Sequence, residues 1–337
     1  MDLRRTMPSD SLAEGGARMG LLGKKSDGTH AGLFIFGGIM QYVALSKRGN
    51  VYRMEQCIDA PYDAGDEGGD LLASQAAIEN NLKTLKKQVG RKWADTVYAG
   101  IQSKDVLLRT VELPNMAIAD IKDAFRYEFD RFFPIPVDDA IYDIAFIDRP
   151  AKDDVTQGAI AYCIAAAVRR NAVENLMLAC QKAGLKLGSI EPSPVAMLRC
   201  LMGPVPPLGF NIYALAGAVS SVIVATYRDN GIVYRNTTQS FATEDPQGRT
   251  IENFTRDLQA TINFASTQMR GFAPDGIHIG GYGARLGERL IASVSEITQA
   301  PVTLVDPWDL WAIAGKPSDP FGWEVPLGLA LRPMEVK

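Results

Sequence analysis

Residue types that commonly carry catalysis or hold metal ions are few and scattered in this chain. Its two histidines, His30 and His278, lack a neighbouring cysteine or second histidine, so the spacing of a metal site is missing. The four cysteines contain no CxxC pair and stand far apart: Cys57, Cys163, Cys180 and Cys200. We therefore predict buried, reduced thiols and no metal site.

Length, charge and hydropathy exclude several broad classes. The chain has 337 residues, a net charge of -4 and 47% hydrophobic residues, enough for one large or two medium cores. No block of basic residues indicates a nucleic-acid surface, so we expect no nucleic-acid partner. The longest apolar runs are too short to span a bilayer, and the first residues do not resemble a secretory signal. These features predict a cytoplasmic-type protein with a disordered leader at 1–28.

Two distant segments repeat one pattern of three short strands. The first has strands at 33–36 and 41–45 around Gly37-Gly38, and a turn leads to a third strand at 51–53. The second has strands at 212–215, 222–226 and 232–236, with Gly217 and an Asp-Asn-Gly turn between them. Two copies of one β-meander predict a duplicated α/β domain with a cleft between its halves.

Hydrophobic periodicity, together with the residues that interrupt helices and strands, predicts the elements that would position such a cleft. Apolar residues three or four apart predict helices, at 74–89, 119–133, 171–183, 190–201, 250–269, 284–294 and 323–332. Short apolar runs predict strands, at 95–100, 105–113, 143–148, 158–168, 276–279 and 302–305. An exposed turn is expected at 150–157, and the block 109–186 has the composition of an inserted α+β subdomain.

The inserted block resembles the corresponding subdomain of the type IV pilus assembly protein PilM. It shares the Leu113-Pro114 start, a helix with a glutamate at Glu128, and the Pro134-Ile-Pro136 exit. Further similar pieces follow in the same order, at 183–185, 191, 196, 280–281, 305–307 and 328–332. The resemblance thus covers about 30–333, and it depends on order and spacing rather than on one motif.

PilM belongs to the actin-like group with the cell-division protein FtsA, and the resemblance implies their fold. The expected fold class is α/β, actin-like, with duplicated RNase H-like halves and an inserted α+β subdomain. The first half would comprise 29–108, completed by 187–206 and 320–337, with the insertion at 109–186. The second half would comprise 207–240 and 276–319, with a helical subdomain at 241–275.

The family's nucleotide-binding loops are degenerate here. Its first-loop aspartate falls at Phe34, the glycine at Phe36 and the lysine at Gln41, while the second-loop aspartate falls at Ala214 and the glycine at Ala216. No Asp, Glu or Lys occurs in 32–46 or 211–226. Without carboxylates for a hydrated cation, we expect no ATP hydrolysis, no catalytic residue and no cofactor.

The resemblance still implies a vestigial nucleotide cleft. Its residues would be Gly37, Gly38, Gln41, Gly217, Ser220, Ser221, Gly280, Gly281 and Tyr282. Simple hairpin glycines are the alternative for Gly37, Gly38 and Gly217. ATP with Mg²⁺ remains the alternative cofactor if an acidic residue such as Glu288 or Asp306 reaches in from elsewhere.

The function that the resemblance implies is that of a cytoplasmic scaffold in a type IV pilus or related secretion apparatus. Its partner would be a PilN-like inner-membrane protein, whose N-terminal tail would lie in a groove between the first core and the inserted subdomain. Arg126, Tyr127 and Phe133 are the candidates for this groove. The protein would sit at the inner face of the inner membrane through its partner only, and a homo-oligomer is left open.

Two alternatives remain at this point. One is an ATP-binding actin-like ATPase or switch. The other is an assembly protein like FtsA or like the L component of type II secretion. FtsA-type proteins end in an amphipathic membrane helix and the L component continues into a transmembrane span, and the sequence given contains neither. A free-standing PilM-like protein is therefore the expectation.

Overall fold

A computed structural model describes residues 28–49, 51–65, 70–149, 160–205, 207–242 and 248–334. The leader predicted at 1–28 lies outside these ranges except for its last residue, Gly28, and the turn predicted at 150–157 lies outside them entirely. Among the described residues, no helix is both long enough and apolar enough to cross a membrane.

The first half is built on a six-stranded sheet of order β14-β3-β2-β1-β4-β8. Its strands are β1 Thr29–Phe36, β2 Ile39–Arg48, β3 Val51–Pro61, β4 Thr96–Ile101, β8 Leu187–Pro192 and β14 Ile313–Ala314. Helix α1, Gln75–Val89, covers one face and buries the predicted Ile78, Leu82, Leu85 and Val89. The predicted first meander and helix are confirmed.

A three-stranded antiparallel sheet is inserted between β4 and β8. Its strands, in the order β5-β7-β6, are β5 Val106–Pro114, β6 Ala140–Phe146 and β7 Ile160–Arg169. Helix α2, Ile118–Phe132, packs on this sheet through Ile121, Phe125 and Phe129. Helix α3, Arg170–Lys182, returns the chain to α1 and the first sheet.

The second half repeats the topology of the first. Its sheet has the order β11-β10-β9-β12-β13, which matches β3-β2-β1-β4-β8 strand for strand. The strands are β9 Phe210–Leu215, β10 Ser221–Tyr227, β11 Asn230–Thr237, β12 Gly276–Gly280 and β13 Val302–Leu304. Helices α5, Arg249–Gln268, and α6, Glu288–Ser295, cover one face. The duplication expected from the two meanders is therefore observed.

Two helices, α4 Ser193–Met202 and α8 Glu324–Leu331, lie between the two halves. The helix predicted at 190–201 is wrong in its first turn, because 187–192 forms β8 beside β4. The cause is visible in the sequence: Pro192 keeps Glu191 out of the α region, and Pro194 suits the first turn of a helix that begins at Ser193.

The segment 306–314 departs from the expected division of the chain. Helix α7, Pro307–Leu310, docks on the first half, where Trp311 Nε1 donates to the carbonyl oxygen of Cys200. Strand β14 then pairs with β3. This stretch, expected in the second half, belongs to the first sheet. The predicted helix 284–294 is also split, because Gly287, at φ +55°, separates a 3₁₀ turn from α6.

Candidate functional site

A small cavity lies between the halves, where the β1–β2 turn faces the loop after β9. Its volume is about 60 Å³, whereas ligand pockets typically measure roughly 300–1,000 Å³. Its walls come from both halves and from α8, and include Phe34, Phe36, Gln41, Lys104, Leu215, Gly217, Val219, Ser220, Tyr282 and Glu324. This volume admits a few waters, and a nucleoside triphosphate would require the halves to move apart.

Phe34 and Phe36 occupy the side of the cavity that belongs to the first half. Their rings stack with centroids 5.1 Å apart, and both are over nine-tenths buried. The two loops also touch at their tips, because a Cβ placed on Gly37 would lie 2.5 Å from Val219 Cγ2. Aromatic side chains thus fill space that the resemblance assigned to phosphates.

The structure brings four of the nine predicted cleft residues to the cavity wall: Gln41, Gly217, Ser220 and Tyr282. Gln41 is buried and hydrogen-bonds the carboxyl of Asp59, a residue exposed at its other side. Gly37 and Gly38 form the β1–β2 turn with positive φ. Ser221 points elsewhere, because its Oγ donates to the carbonyl oxygen of Gln239.

Gly280 and Gly281 lie beside the cavity, where they allow close packing. A Cβ on Gly280 would lie 2.5 Å from Leu201 of α4, and one on Gly281 would lie 2.7 Å from the carbonyl oxygen of Ala216. The Gly281 N–H is already engaged by a side chain of this protein, Glu324. The Gly281 amide is therefore already hydrogen-bonded within the protein and is not available to a ligand.

Phe34 in the first loop and Ala214 in the second do not occupy equivalent places in their halves. Phe34 faces the region between the halves, whereas Ala214 is buried in the core of the second half under α5. Successive residues of a strand face opposite sides of a sheet, so Leu215, and not Ala214, presents its side chain to the cavity. An aspartate at position 214 would not reach a cleft ligand.

Glu324, which the sequence did not single out, is the carboxyl group of this cavity. It is the first residue of α8 and is 1% exposed. Its Oε1 accepts the Gly281 N–H at 2.7 Å and its Oε2 accepts the Gly322 N–H at 2.9 Å. Burial raises the pKa of Glu324 to about 7, although these amides and the Arg285 guanidinium act in the opposite direction.

Because Gly281 directly follows β12 and Glu324 begins α8, this hydrogen bond joins the second half to the first. The only signal in the sequence was a charged residue at the start of an otherwise apolar helix. The acidic residues proposed from the sequence do not reach the cavity. Glu288 is exposed at the start of α6, and Asp306 caps α7 and pairs with Lys316.

A groove, distinct from this cavity, lies between the first core and the inserted subdomain. It has a volume of about 260 Å³. Its apolar walls include Leu72, Leu107, Ile135, Ala167 and Ala172, and its charged residues are Asp70, Lys104, Asp105 and Arg169. Burial raises the pKa of Asp105, which is the most enclosed of these charges. The groove is therefore an apolar trough with both signs of charge on its rim.

The three residues predicted for a partner groove lie apart from this groove. Phe133 is 2% exposed and packs against Phe125 and Phe129 in the core of the inserted subdomain. Its extended backbone at the end of α2 turns the ring back under the helix. Arg126 forms an exposed ion pair with Asp138, and Tyr127 is 90% exposed on the outer face of α2.

The fold is similar to that of a solved structure described as a PilM-PilN type IV pilus biogenesis complex. The TM-score is 0.70 at 20% sequence identity, and the match covers 92% of this chain and 99% of that chain. The chain has the actin-like fold of PilM. Coverage of both chains is nearly complete, so the PilM-like fold includes the inserted subdomain and both halves.

Two further solved structures are more distant. The cytoplasmic domain of EpsL, an inner-membrane component of the type II secretion system of Vibrio cholerae, has a TM-score of 0.49 at 11% identity, covering 92% of this chain and 96% of that one. A protein of unknown function from Bacteroides thetaiotaomicron with an actin-like ATPase fold has a TM-score of 0.47 at 11% sequence identity. That match covers 84% of this chain and 93% of the other chain. The fold assignment rests on the PilM structure. No family model and no curated protein matches the sequence.

Proposed function

We propose that this protein is a PilM-like assembly component of a type IV pilus or related machine, located in the cytoplasm at the inner membrane. In this role it docks the N-terminal tail of a PilN-like inner-membrane protein in the groove between the first core and the inserted subdomain. The observation that carries the proposal is the PilM-like fold, matched over nearly the whole of both chains.

The groove supports the docking of an extended peptide. Leu72, Leu107 and Ile135 offer apolar contacts for alternate side chains of such a peptide. The half-buried Asp105 favours a basic group of the peptide, because a cation nearby offsets the cost of holding a partly desolvated carboxylate. We therefore expect a tail that combines apolar residues with at least one basic residue.

Substitution of Leu107 tests the docking proposal. Leu107→Glu places a charge in the apolar trough and should weaken tail binding at least tenfold, since about 1.4 kcal/mol of lost contact energy suffices. Fluorescence anisotropy with a labelled peptide of the PilN-like tail measures the change in affinity. Leu178→Glu is the matched control, because Leu178 is an exposed leucine on α3. Equal affinities of the two variants would contradict docking in this groove.

We also propose that the cleft does not hydrolyse ATP and serves as a fixed joint, that is, a rigid connection between the two halves. In support, no carboxylate lies in either loop, Phe34 and Phe36 fill the cleft, and the Gly281 amide is engaged by Glu324. Phosphoryl transfer depends on a held cation and on neutralised phosphate charge. A scaffold requires neither of these.

Calorimetric titration with ATP and Mg²⁺ tests this second proposal. We expect no saturable heat for the wild-type protein, because the cavity of about 60 Å³ is far below the usual size of a ligand pocket. Saturable, Mg²⁺-dependent heat would contradict the fixed joint and favour an ATP-driven switch. In that case the loss of binding in Glu324→Ala, with Glu288→Ala as control, would identify Glu324 as the group that holds the cation.

A further inference from the structure

Topology gathers exposed cations at one end of the first sheet. Thr29 pairs with Ser46, His30 with Thr96, and Val97 with Leu187, so β2 ends where β1, β4 and β8 begin. These four neighbouring strands span about 14 Å. The residues at this end include Arg48, the last residue of β2, Arg91 and Lys92 before β4, and Lys186 before β8.

Helix α1 extends this basic end. Lys86 Nζ donates to the carbonyl oxygens of Ala183 and Gly184, which places the last turn of α1 beside the end of α3. Lys87, on the same turn, is exposed. We call the set Arg48, Lys87, Arg91, Lys92 and Lys186 the basic pole. The adjacent hairpin also presents Val51, which is 59% exposed.

Among the described residues, no acid forms an ion pair within 4 Å with a cation of the basic pole. All five cations are exposed. The acids at this end include Asp95 and Glu55. Asp95 accepts hydrogen bonds from the backbone and hydroxyl of Thr29 and lies close enough to Lys186 for their charges to attract. Glu55 accepts a hydrogen bond from the Ser46 hydroxyl. The five exposed cations leave an excess of positive charge at one end of a chain whose net charge is -4, and such a surface suits an anion outside the molecule.

We propose that the basic pole rests directly on anionic phospholipid headgroups at the membrane surface. This inference rests on the proposed function only for the choice of a membrane over other anionic partners. Flexible lysines and an exposed valine suit a fluid headgroup layer, and the pole lacks the stacking aromatic residues of single-strand nucleic-acid sites. The contact is additional to the indirect one expected through a partner.

The distance between the basic pole and the groove sets the length of tail that a membrane partner needs to reach the groove. Helix α3 begins beside the groove, which Arg169, just before the helix, and Ala172, in its first turn, both line. Its other end lies toward the basic pole, beside Lys86 of α1. The 13 residues of α3 span about 20 Å. A tail that leaves the bilayer beneath the pole therefore crosses about 20 Å, roughly six extended residues, before it reaches the groove.

Sedimentation with vesicles tests the lipid contact. We would compare phosphatidylcholine vesicles with vesicles that also contain phosphatidylglycerol, at low and at physiological salt. Wild-type protein should bind only the anionic vesicles, and more weakly as salt rises. Each cation near such a surface strengthens binding about fivefold, so the Arg91→Glu/Lys92→Glu variant should bind at least about tenfold more weakly. Arg256→Glu/Arg289→Glu, on exposed residues of the second half, has the same charge change and should bind like wild type.

Three results would overturn the proposal. They are equal binding to neutral vesicles, an equal loss in the control variant, and tighter binding of the pole to duplex DNA than to anionic vesicles. The Leu107→Glu variant separates this proposal from the docking proposal, because it should bind vesicles like wild type. If the tail peptide fails to bind while vesicle binding depends on the pole, the docking proposal fails and the lipid contact stands.

Discussion

Replacing Gly328 by alanine should destabilise the protein by about 3 kcal/mol or more, because the new methyl group has no room. A Cβ on Gly328 would lie 1.9 Å from the carbonyl oxygen of Ala196 and 2.7 Å from its carbonyl carbon. Alanine favours a helix over glycine by about 1 kcal/mol. That gain is too small to offset a clash between the backbones of α4 and α8, which cannot both keep their places in the interface between the halves.

Urea denaturation measures this change as a loss in the free energy of unfolding. Gly28→Ala is the matched control, because its Cβ would meet no atom within 3.5 Å and its φ is not positive. We expect the control to retain wild-type stability within about 0.5 kcal/mol. Wild-type stability of the Gly328→Ala variant would mean that α4 and α8 lie farther apart than described.

The stability contributed by Glu324 should fall by about 3 kcal/mol as the pH rises from 4.5 to above 7. Burial raises the pKa of this carboxyl from 4.5 to about 7 in the folded protein. Between these values the folded state holds a proton that the unfolded state has released. Folding is therefore favoured at low pH, and this contribution is fully present below pH 4.5 and lost as the pH passes 7.

The Glu324→Gln variant isolates this effect from the other titrating groups. Glutamine keeps the shape but does not titrate, so the difference in unfolding free energy between wild type and variant should change with pH. A constant offset is also expected, because glutamine has one acceptor oxygen for the two amides of Gly281 and Gly322.

Denaturation at a series of pH values measures this difference. Glu288→Gln is the control, since Glu288 also begins a helix but is exposed. Its difference from wild type should show far less pH dependence. A pH-independent difference for Glu324→Gln would show that Glu324 ionises normally and that the joint is hydrated.

Local patterns in the sequence were sufficient for most elements and for the duplication. The apolar spacing of Ile78, Leu82, Leu85 and Val89 predicted α1 because a helix brings residues three or four apart to one face. The glycine turns predicted the two meanders because tight turns require positive φ, as at Gly37 and Gly38. The order of the segments carried the resemblance to PilM, and the fold agrees with it.

The candidate sites depended on contacts between residues far apart in the chain. Glu324 reaches Gly281 across 43 positions, and Phe133, placed by its sequence at a groove, is turned into the core by the end of α2. Ala214 faces the core of the second half and not the cleft, because a shift of one residue in strand alignment reverses the side of the sheet.

What the sequence by itself determined was therefore the set of elements, the duplicated plan and the absence of acidic residues from both cleft loops. Only the tertiary structure decided that the cleft is closed by Glu324 and by two phenylalanines. Only it gathered Arg48, Lys87 and Lys186, which form no basic block in the sequence, at one end of a sheet. The reason is physical: hydrophobic periodicity acts over a few residues, whereas strand order and register bring distant charges together.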